Sequence, residues 1–511
     1  MIVIYHINNK VSEVTGCAPN ASHIGKPVAK CMLELCQLHP NVIVVWCHML
    51  LKSDLDLDAV ATSFHHNKLL FSYHTSDRSF LDDCIGYVES STSIKISKTV
   101  KFATWQMSSD VGAVHSSVIL ACISELHAND QFDYFLNSFA KRAMPLGLLC
   151  YSEPALIRIK QVVKTNQKAS LFETFRFVKQ HYKTTWLFLL MLNKIVYEKK
   201  FPVLTFLAAL LYHKRSFKKN TLDAIKISSS KRNINIGSID VIIPTIGRKA
   251  HLYNVLKDLA VQSHLPVNVI IVEQNPIENS MSELDYLINE SWPFQIKHTF
   301  IHKTGVCQAR NIALKELTSD WVFLADDDIR FGANCIEETL QQMSSIHAEA
   351  ATINCIQTGE VQRYKTIFQA SFFGSGCSVV RKSALEGCEF RTVYEFGYAE
   401  DSDFGMQLRN KGCDVIYFPN PQILHLKAPV GGFRVKAVFP WSEGMQPKPS
   451  PTVMLFNLSY FTKEQFFGYK TTLFLKYYKR QSVKDPLKYY RKFKKQWDIS
   501  KHWAGHLKDA I

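Results

Sequence analysis

At 511 residues the chain is too long for one ordinary hydrophobic core, so two or three domains are expected. An apolar fraction of 47% with 21% charged residues excludes a disordered protein. The formal charge of +15 sits mostly at one end, because residues 463–511 hold 13 Lys or Arg and 4 Asp or Glu, a net of +9.

The opening MIVIYHINNK has no basic stretch ahead of an apolar one, so no secretory signal is expected. Thirteen cysteines without paired CxxC spacing read as reduced thiols of a cytoplasmic protein. Within the first 165 residues the clearest strand is NVIVVWCH, ending at His48. The most apolar stretch, 186–212, is divided by Asn193, Lys194 and the Glu198-Lys199-Lys200 cluster. Its pieces are shorter than the roughly 20 residues a spanning helix needs, so a helical hairpin packed between domains is expected, with interfacial membrane binding the alternative. Polar and basic residues from 213 to 237 read as a linker.

The pattern then becomes regular. Ile239 to Ile243 is a β-branched run stopped by Pro244, as in a buried parallel strand. Leu252, Val255, Leu256 and Leu259 follow on one helical face, and Val269 to Val272 and Trp321 to Ala325 read as further strands. Alternation of strands and helices predicts a parallel sheet covered on both sides, with ligands at the carboxyl ends of its strands.

Asp326, Asp327 and Asp328 directly follow a strand. Three adjacent carboxylates repel one another and need a compensating cation; oxygen ligands at a strand end suit magnesium or manganese. The bland alternative is an N-cap for a helix starting near Gly332, but a cap needs only one aspartate. Glu400-Asp401-Ser402-Asp403 opens a second helical run ending at Gly412. Carboxylates there suit the helix dipole, but the favoured reading is that one serves as a general base. His425 follows a strand at Val415 to Phe418, where a structural role and a ligand role are balanced.

In order, VIIPTIGR, IIVEQNP, GVCQARNIAL, WVFLADDD, FGSGCSVVRKSAL, YAEDSDFGMQLRNKG and a downstream His resemble the bacterial family-2 inverting glycosyltransferases. The resemblance covers roughly 200 residues and implies the α/β nucleotide-sugar-binding fold called GT-A. It implies donor contacts from Pro244, Thr245, Arg248, Glu273, Arg310, Asn311, Asp326 and Asp327. Metal contacts fall on Asp328, Asp326 and His425, and acceptor-side positions on Gly374, Ser375 and Gly376. Asp401 matches the catalytic base, with Glu400 as its acidic neighbour. Glu273-Gln274-Asn275-Pro276 departs from the family's usual Asp-Asp-Gly-Ser run, which leaves the nucleotide base open, with a UDP-sugar the first expectation. The implied reaction is a single displacement onto an acceptor hydroxyl with inversion, assisted by Mg2+ or Mn2+, in glycan or cell-surface polysaccharide synthesis. A metal-dependent phosphohydrolase or nucleotidyltransferase is the alternative enzyme, and a sugar-nucleotide-binding scaffold the non-enzymatic one.

The first 165 residues pair with the later ones in degraded form. FATWQMSSDVGAVHSSVI parallels FQASFFGSGCSVVRKSAL, and the segment from Asn129 to Ile157 parallels that from Ala399 to Leu424. Trp46-Cys47-His48 then replaces the three aspartates. The expected order is a degenerate GT-A-like or unrelated α/β domain at 1–165 and a helical segment and linker at 166–237. A catalytic GT-A domain at 238–435 and a basic-aromatic helical extension at 436–511 complete it. The extension's interleaved Tyr, Phe, Trp, Lys and Arg suggest peripheral contact with the inner membrane face beside a glycan or lipid-linked acceptor; a solvated terminal helix is the alternative, and nucleic acid is not expected.

Overall fold

The structure, a computed structural model, describes residues 1–18, 21–76, 79–158, 168–232, 236–429 and 438–510. The chain divides into two compact units, Met1–Lys231 with Phe461–Lys476, and Arg232–Tyr460 with Tyr477–Ile511. Both are α/β, as expected from the alternating patterns. All thirteen cysteines are unpaired thiols.

The first unit holds β1 (Ile2–Ile7), β2 (Lys10–Thr15), β3 (Ile43–His48), β4 (Leu69–Tyr73), β5 (Phe102–Ala103), β6 (Val111–His115) and β7 (Leu149–Ser152). They form one sheet in the order β2-β1-β3-β6-β4-β7-β5. Nearly every residue of β3, β4, β6 and β7 is buried, the mark of strands covered on both faces. Phe132, Phe135 and Phe139 of helix Phe132–Ala143 stack along one side of that core with Trp46. The 186–212 stretch forms helices Thr184–Glu198 and Val203–Leu210, which pack against helix Leu171–His181. Each helix is covered on one side only: Phe188 and Leu192 of the first and Leu204 and Leu207 of the second are exposed. Among the described residues no helix is long and apolar enough to cross a membrane.

The second unit holds β8 (Ile239–Ile246), β9 (Asn268–Gln274), β10 (Gln295–Ile301), β11 (Trp321–Ala325), β12 (Ile329–Phe331), β13 (Ala350–Gln357), β14 (Phe368–Gln369), β15 (Cys377–Arg381) and β16 (Val415–His425). The order is β10-β9-β8-β11-β15-β13-β16-β12, with β14 beside β16. Helix Lys249–Ala260 buries Leu252, Val255, Leu256 and Leu259, the face read from the sequence. The sheet is mixed, not wholly parallel: β8 to β11 run together, and β15 runs against both β11 and β13. No crossover helix separates β13 from β15, so the chain returns antiparallel. That return delivers Ser375 and Gly376 to the edge where β8 and β11 end.

The two sheets share a ladder. β1 or β8 pairs in parallel with β3 or β11, which pairs antiparallel with β6 or β15. Next come β4 or β13 antiparallel, then β7 or β16 parallel. The two-residue β5 or β14 closes each series.

The C-terminal helix Pro486–Lys508 packs on helix Pro451–Tyr460. Its Tyr489, Phe493 and Trp497 are 2–3% exposed, whereas Lys488, Arg491, Lys492, Lys494 and Lys495 face solvent. Tyr489, Phe493 and Trp497, which the sequence interleaves with these basic residues, therefore lie on the covered side of the helix, while Tyr490 shares the solvent side with the cations.

Candidate active site

The carboxyl ends of β8 and β11, the loop before β15, the start of helix Glu400–Asn410 and the end of β16 enclose a cleft of about 430 Å³. Pro244, Thr245, Arg248, Arg310, Ser375, Gly376, Glu400, Asp401, His425 and all three consecutive aspartates line it. The three aspartates do not cap a helix. A short strand, β12, intervenes, and the next helix, Cys335–Ile346, has Asn334 at its N-cap.

The aspartates differ in their hydrogen-bond partners, although Arg248 Nη1 also lies 3.3 Å from Asp328 Oδ2. Asp326 Oδ1 accepts a 3.0 Å bond from Arg310 Nη2. Asp327 is buried; its two oxygens accept from Thr245 Oγ1 at 2.7 Å and Arg248 Nη1 at 2.6 Å. Burial pushes Asp327 up to about 6, against the pull of Arg248 and Thr245. Asp328 Oδ2 accepts from the Ala428 N–H at 2.9 Å. Burial opposes ionisation of Asp328, yet His425, the Ala428 N–H and Arg248 together hold it down to about 2. His425 Nε2 lies 3.2 Å from Asp328 Oδ1 but off the hydrogen-bond direction, so that buried oxygen has no hydrogen bond. The adjacent carboxylate in turn raises His425.

Asp326, Asp328 and His425 each turn one ligand atom toward a common point, all within 4.8 Å of one another. Two hard carboxylate oxygens and an imidazole, one oxygen buried without a donor, fit a divalent cation. Asp327, whose oxygens are taken by Thr245 and Arg248, stands apart from that set.

Across the cleft, Ser375 Oγ donates to Asp401 Oδ1, and Arg310 Nη1 lies 3.8 Å from the same oxygen. Arg310 thus stands between Asp326 and Asp401. Burial raises Asp401, against the pull of Arg310 and Ser375. Burial, with the Asp401 carboxylate beside it, pushes Glu400 up to about 7. Gly376 is required by space: a Cβ there would lie 2.1 Å from Asp326 Oδ2.

Other expected residues stand behind the cleft. Glu273 accepts from Ser282 Oγ, the Glu283 N–H and His298 Nε2, and its neighbour Gln274 reaches the lining instead. The Asn311 side chain bonds both backbone groups of Phe390 and so ties helix Val306–Leu314 to the loop ahead of Asp401. Gly374 uses its carbonyl to accept from Ser378 Oγ. Glu395 and Lys427 line the cleft without having been picked out in the sequence. Glu395 accepts the Cys307 and Gln308 N–H groups at the start of helix Val306–Leu314, at 3.1 Å each. Its only sequence signal is its place five residues before Glu400; Lys427 has none beyond following His425.

The first unit repeats part of this arrangement. The His48 N–H donates to the Asp110 carbonyl as the Asp326 N–H donates to that of Gly376. Ser109 Oγ donates to Asp133 Oδ2 at 2.9 Å, and Asp133, like Asp401, is the second residue of its helix. Sequence pairing instead sets Asp133 opposite Asp403, two residues out, because it cannot see which carboxylate the serine holds. Among the described residues, Asp326, Asp328 and His425 are the one trio placed to hold a metal ion, so His48 brings no such site with it.

Residues 240–388 match the family described as Glycosyl transferase family 2. The match takes in the three aspartates and β15, and ends before Glu400, Asp401 and His425. No curated protein matches the chain. Among solved structures, that of S. aureus TarS 1-349 in complex with UDP-GlcNAc has a TM-score of 0.35 and 17% identity, over 45% of this chain and 69% of that one. S. aureus TarS 1-349 gives 0.32 and 16%, over 37% and 60%. The structure of S. aureus TarS gives 0.31 and 17%, and the chain spans only 37% of its length.

Proposed function

We propose that this chain, whose residues 240–388 carry a family-2 glycosyl transferase domain, transfers a sugar from a nucleoside-diphosphate donor to an acceptor hydroxyl with inversion. The observation that carries this reading is the pairing of two functions across one cleft. Asp326, Asp328 and His425 form a ligand set on one side, and Asp401, held by Ser375, a carboxylate on the other.

Asp326, Asp328 and His425 would hold Mg2+ or Mn2+, which supplies charge neutralisation to a departing diphosphate. Thr245 and Arg248 orient Asp327, and Arg248 offers positive charge at the donor end of the cleft. Asp401 takes the proton of the acceptor hydroxyl as it attacks; Ser375 and Arg310 fix the oxygen that receives it. Glu400 remains beside it as a second carboxylate that favours the ionised base least when itself charged. A UDP-sugar is the donor to test first, since the compared TarS fragment was solved with UDP-GlcNAc. The acceptor belongs to a glycan or lipid-linked precursor made at a membrane surface. Incubating the protein and Mn2+ with a panel of nucleotide sugars should give slow donor hydrolysis and, with the right acceptor, transfer. Release of pyrophosphate, or binding without turnover for every donor, would defeat the reading.

The same reading makes the first unit a degenerate, non-catalytic copy of the transferase fold. Its support is the shared ladder and the Ser109–Asp133 pair.

A further inference from the structure

Helices Thr184–Glu198 and Val203–Leu210 bury one side each and leave the other bare. Leu187, Leu190 and Asn193 of the first and Thr205, Phe206 and Ala209 of the second are buried. Phe188, Leu192 and Val196, spaced four apart, are 37–51% exposed. Leu204, Leu207 and Leu211 continue the surface at 53–81% exposure, and Phe201, in the turn between the helices, at 72%. Phe188 meets the buried Phe206 with ring centroids 4.9 Å apart, which sets the two helices side by side. Single exposed hydrophobic residues need no explanation, but several large ones gathered on two adjacent helices mark an interaction surface.

The charge around the patch selects its partner. Residues 183–219 contain eight Lys or Arg and one acidic residue, Glu198. Glu198 is paired with Lys194 and Lys200. Lys183 at the first helix's start, Lys199 in the turn, and Lys214, Lys218 and Lys219 beyond the second helix are exposed. A second copy of the chain would bring these like charges together, and the cores of protein interfaces are depleted in lysine. An anionic lipid surface accepts both features, with apolar side chains entering the acyl boundary and lysines at the headgroups. Neither helix can cross a membrane.

We infer that the helix pair 184–211 is a docking surface for an anionic phospholipid bilayer, on which it lies flat. The inference deepens the membrane-side acceptor reading, and it moves the apolar contact away from the C-terminal helix, whose Tyr489, Phe493 and Trp497 are buried.

The test uses the full chain and vesicles of phosphatidylglycerol with phosphatidylcholine, against vesicles of phosphatidylcholine alone. The parent protein should sediment with the anionic vesicles. The variant Leu204→Gln/Leu207→Gln/Leu211→Gln, altered only at exposed positions, should partition at least about tenfold less. Its donor hydrolysis, read in solution without vesicles, should equal the parent's, so failure here is separable from failure of the transferase reading. Leu207→Trp should show blue-shifted emission quenched by brominated lipid. Equal sedimentation of parent and triple variant, or an unquenched tryptophan, would overturn the inference. So would a vesicle-independent dimer that the triple variant dissolves, which would make the patch a contact between copies.

Discussion

The three consecutive aspartates end up in three electrostatic environments. Asp327 is spent on Thr245 and Arg248, and Asp328 is held ionised with one oxygen lacking a donor. Asp328→Ala should abolish manganese-dependent binding of a nucleoside diphosphate in calorimetric titration, and Asp326→Ala should weaken it; affinity unchanged in Asp328→Ala would remove the cation site. Asp401→Asn should leave donor affinity nearly intact and lower turnover by roughly two or more orders of magnitude, the scale of general-base catalysis. Turnover within about threefold of the parent would shift the role to Glu400. The pair also predicts a pH dependence. Burial and Asp401 push Glu400 up to about 7, so below that pH Glu400 is mostly protonated, and above it two like charges adjoin. Glu400→Gln fixes the neutral state that Glu400 already has below about pH 7, so it should leave the acid limb of kcat in place and change turnover only above that pH, where the second charge is removed. A shifted acid limb would show that Glu400 is charged while the base titrates.

At the scale of elements, the C-terminal helix is part of the second unit's core. Tyr489, Phe493 and Trp497 lie buried along the face that meets helix Pro451–Tyr460. That helix reaches the site's surroundings: Tyr460 Oη donates to Asp403 at 2.8 Å, and Thr452 Oγ1 accepts from the Tyr398 N–H at 3.0 Å. Asp403 and Tyr398 flank Glu400 and Asp401. Trp497→Ala should cost about 3–5 kcal/mol in denaturant unfolding, as for other buried large-to-small changes. Lys494→Gln, on the solvent face, should cost under about 0.5 kcal/mol. Comparable losses for the two would mean that the aromatic face is not the packed one.

For the whole molecule, the repeated ladder raises the question of how many donors one chain binds. The sequence pairing set His48 opposite Asp328, but the ladder puts it at the register position of Asp326; buried Asp133, pushed up to about 6 by burial, keeps its serine with no cation site beside it among the described residues. Titration of the full chain with a nucleoside diphosphate and manganese should therefore saturate at one site per chain. Two sites would overturn the view of the first unit as non-catalytic.

Much of the second unit was legible along the chain, because its signals are local. Buried strands are short β-branched runs, the helix Lys249–Ala260 shows its face at helical spacing, and three adjacent aspartates are costly enough to stand out. Tertiary structure decided what spacing does not encode. Direction of β15 depends on the absence of a crossover, and the separation of Asp327 from the ligand set depends on Arg248, 79 residues away. Glu395 reaches the cleft by bonding backbone groups 87 and 88 residues earlier, which no local pattern records. The two aromatic-rich segments show the same limit most plainly. Composition made 463–511 the membrane candidate and 186–212 a hairpin packed between domains, yet packing buries Tyr489, Phe493 and Trp497 of the one and exposes Phe188, Phe201 and Tyr212 of the other. Which face of an amphipathic helix is covered depends on its neighbours, and neighbours belong to the fold.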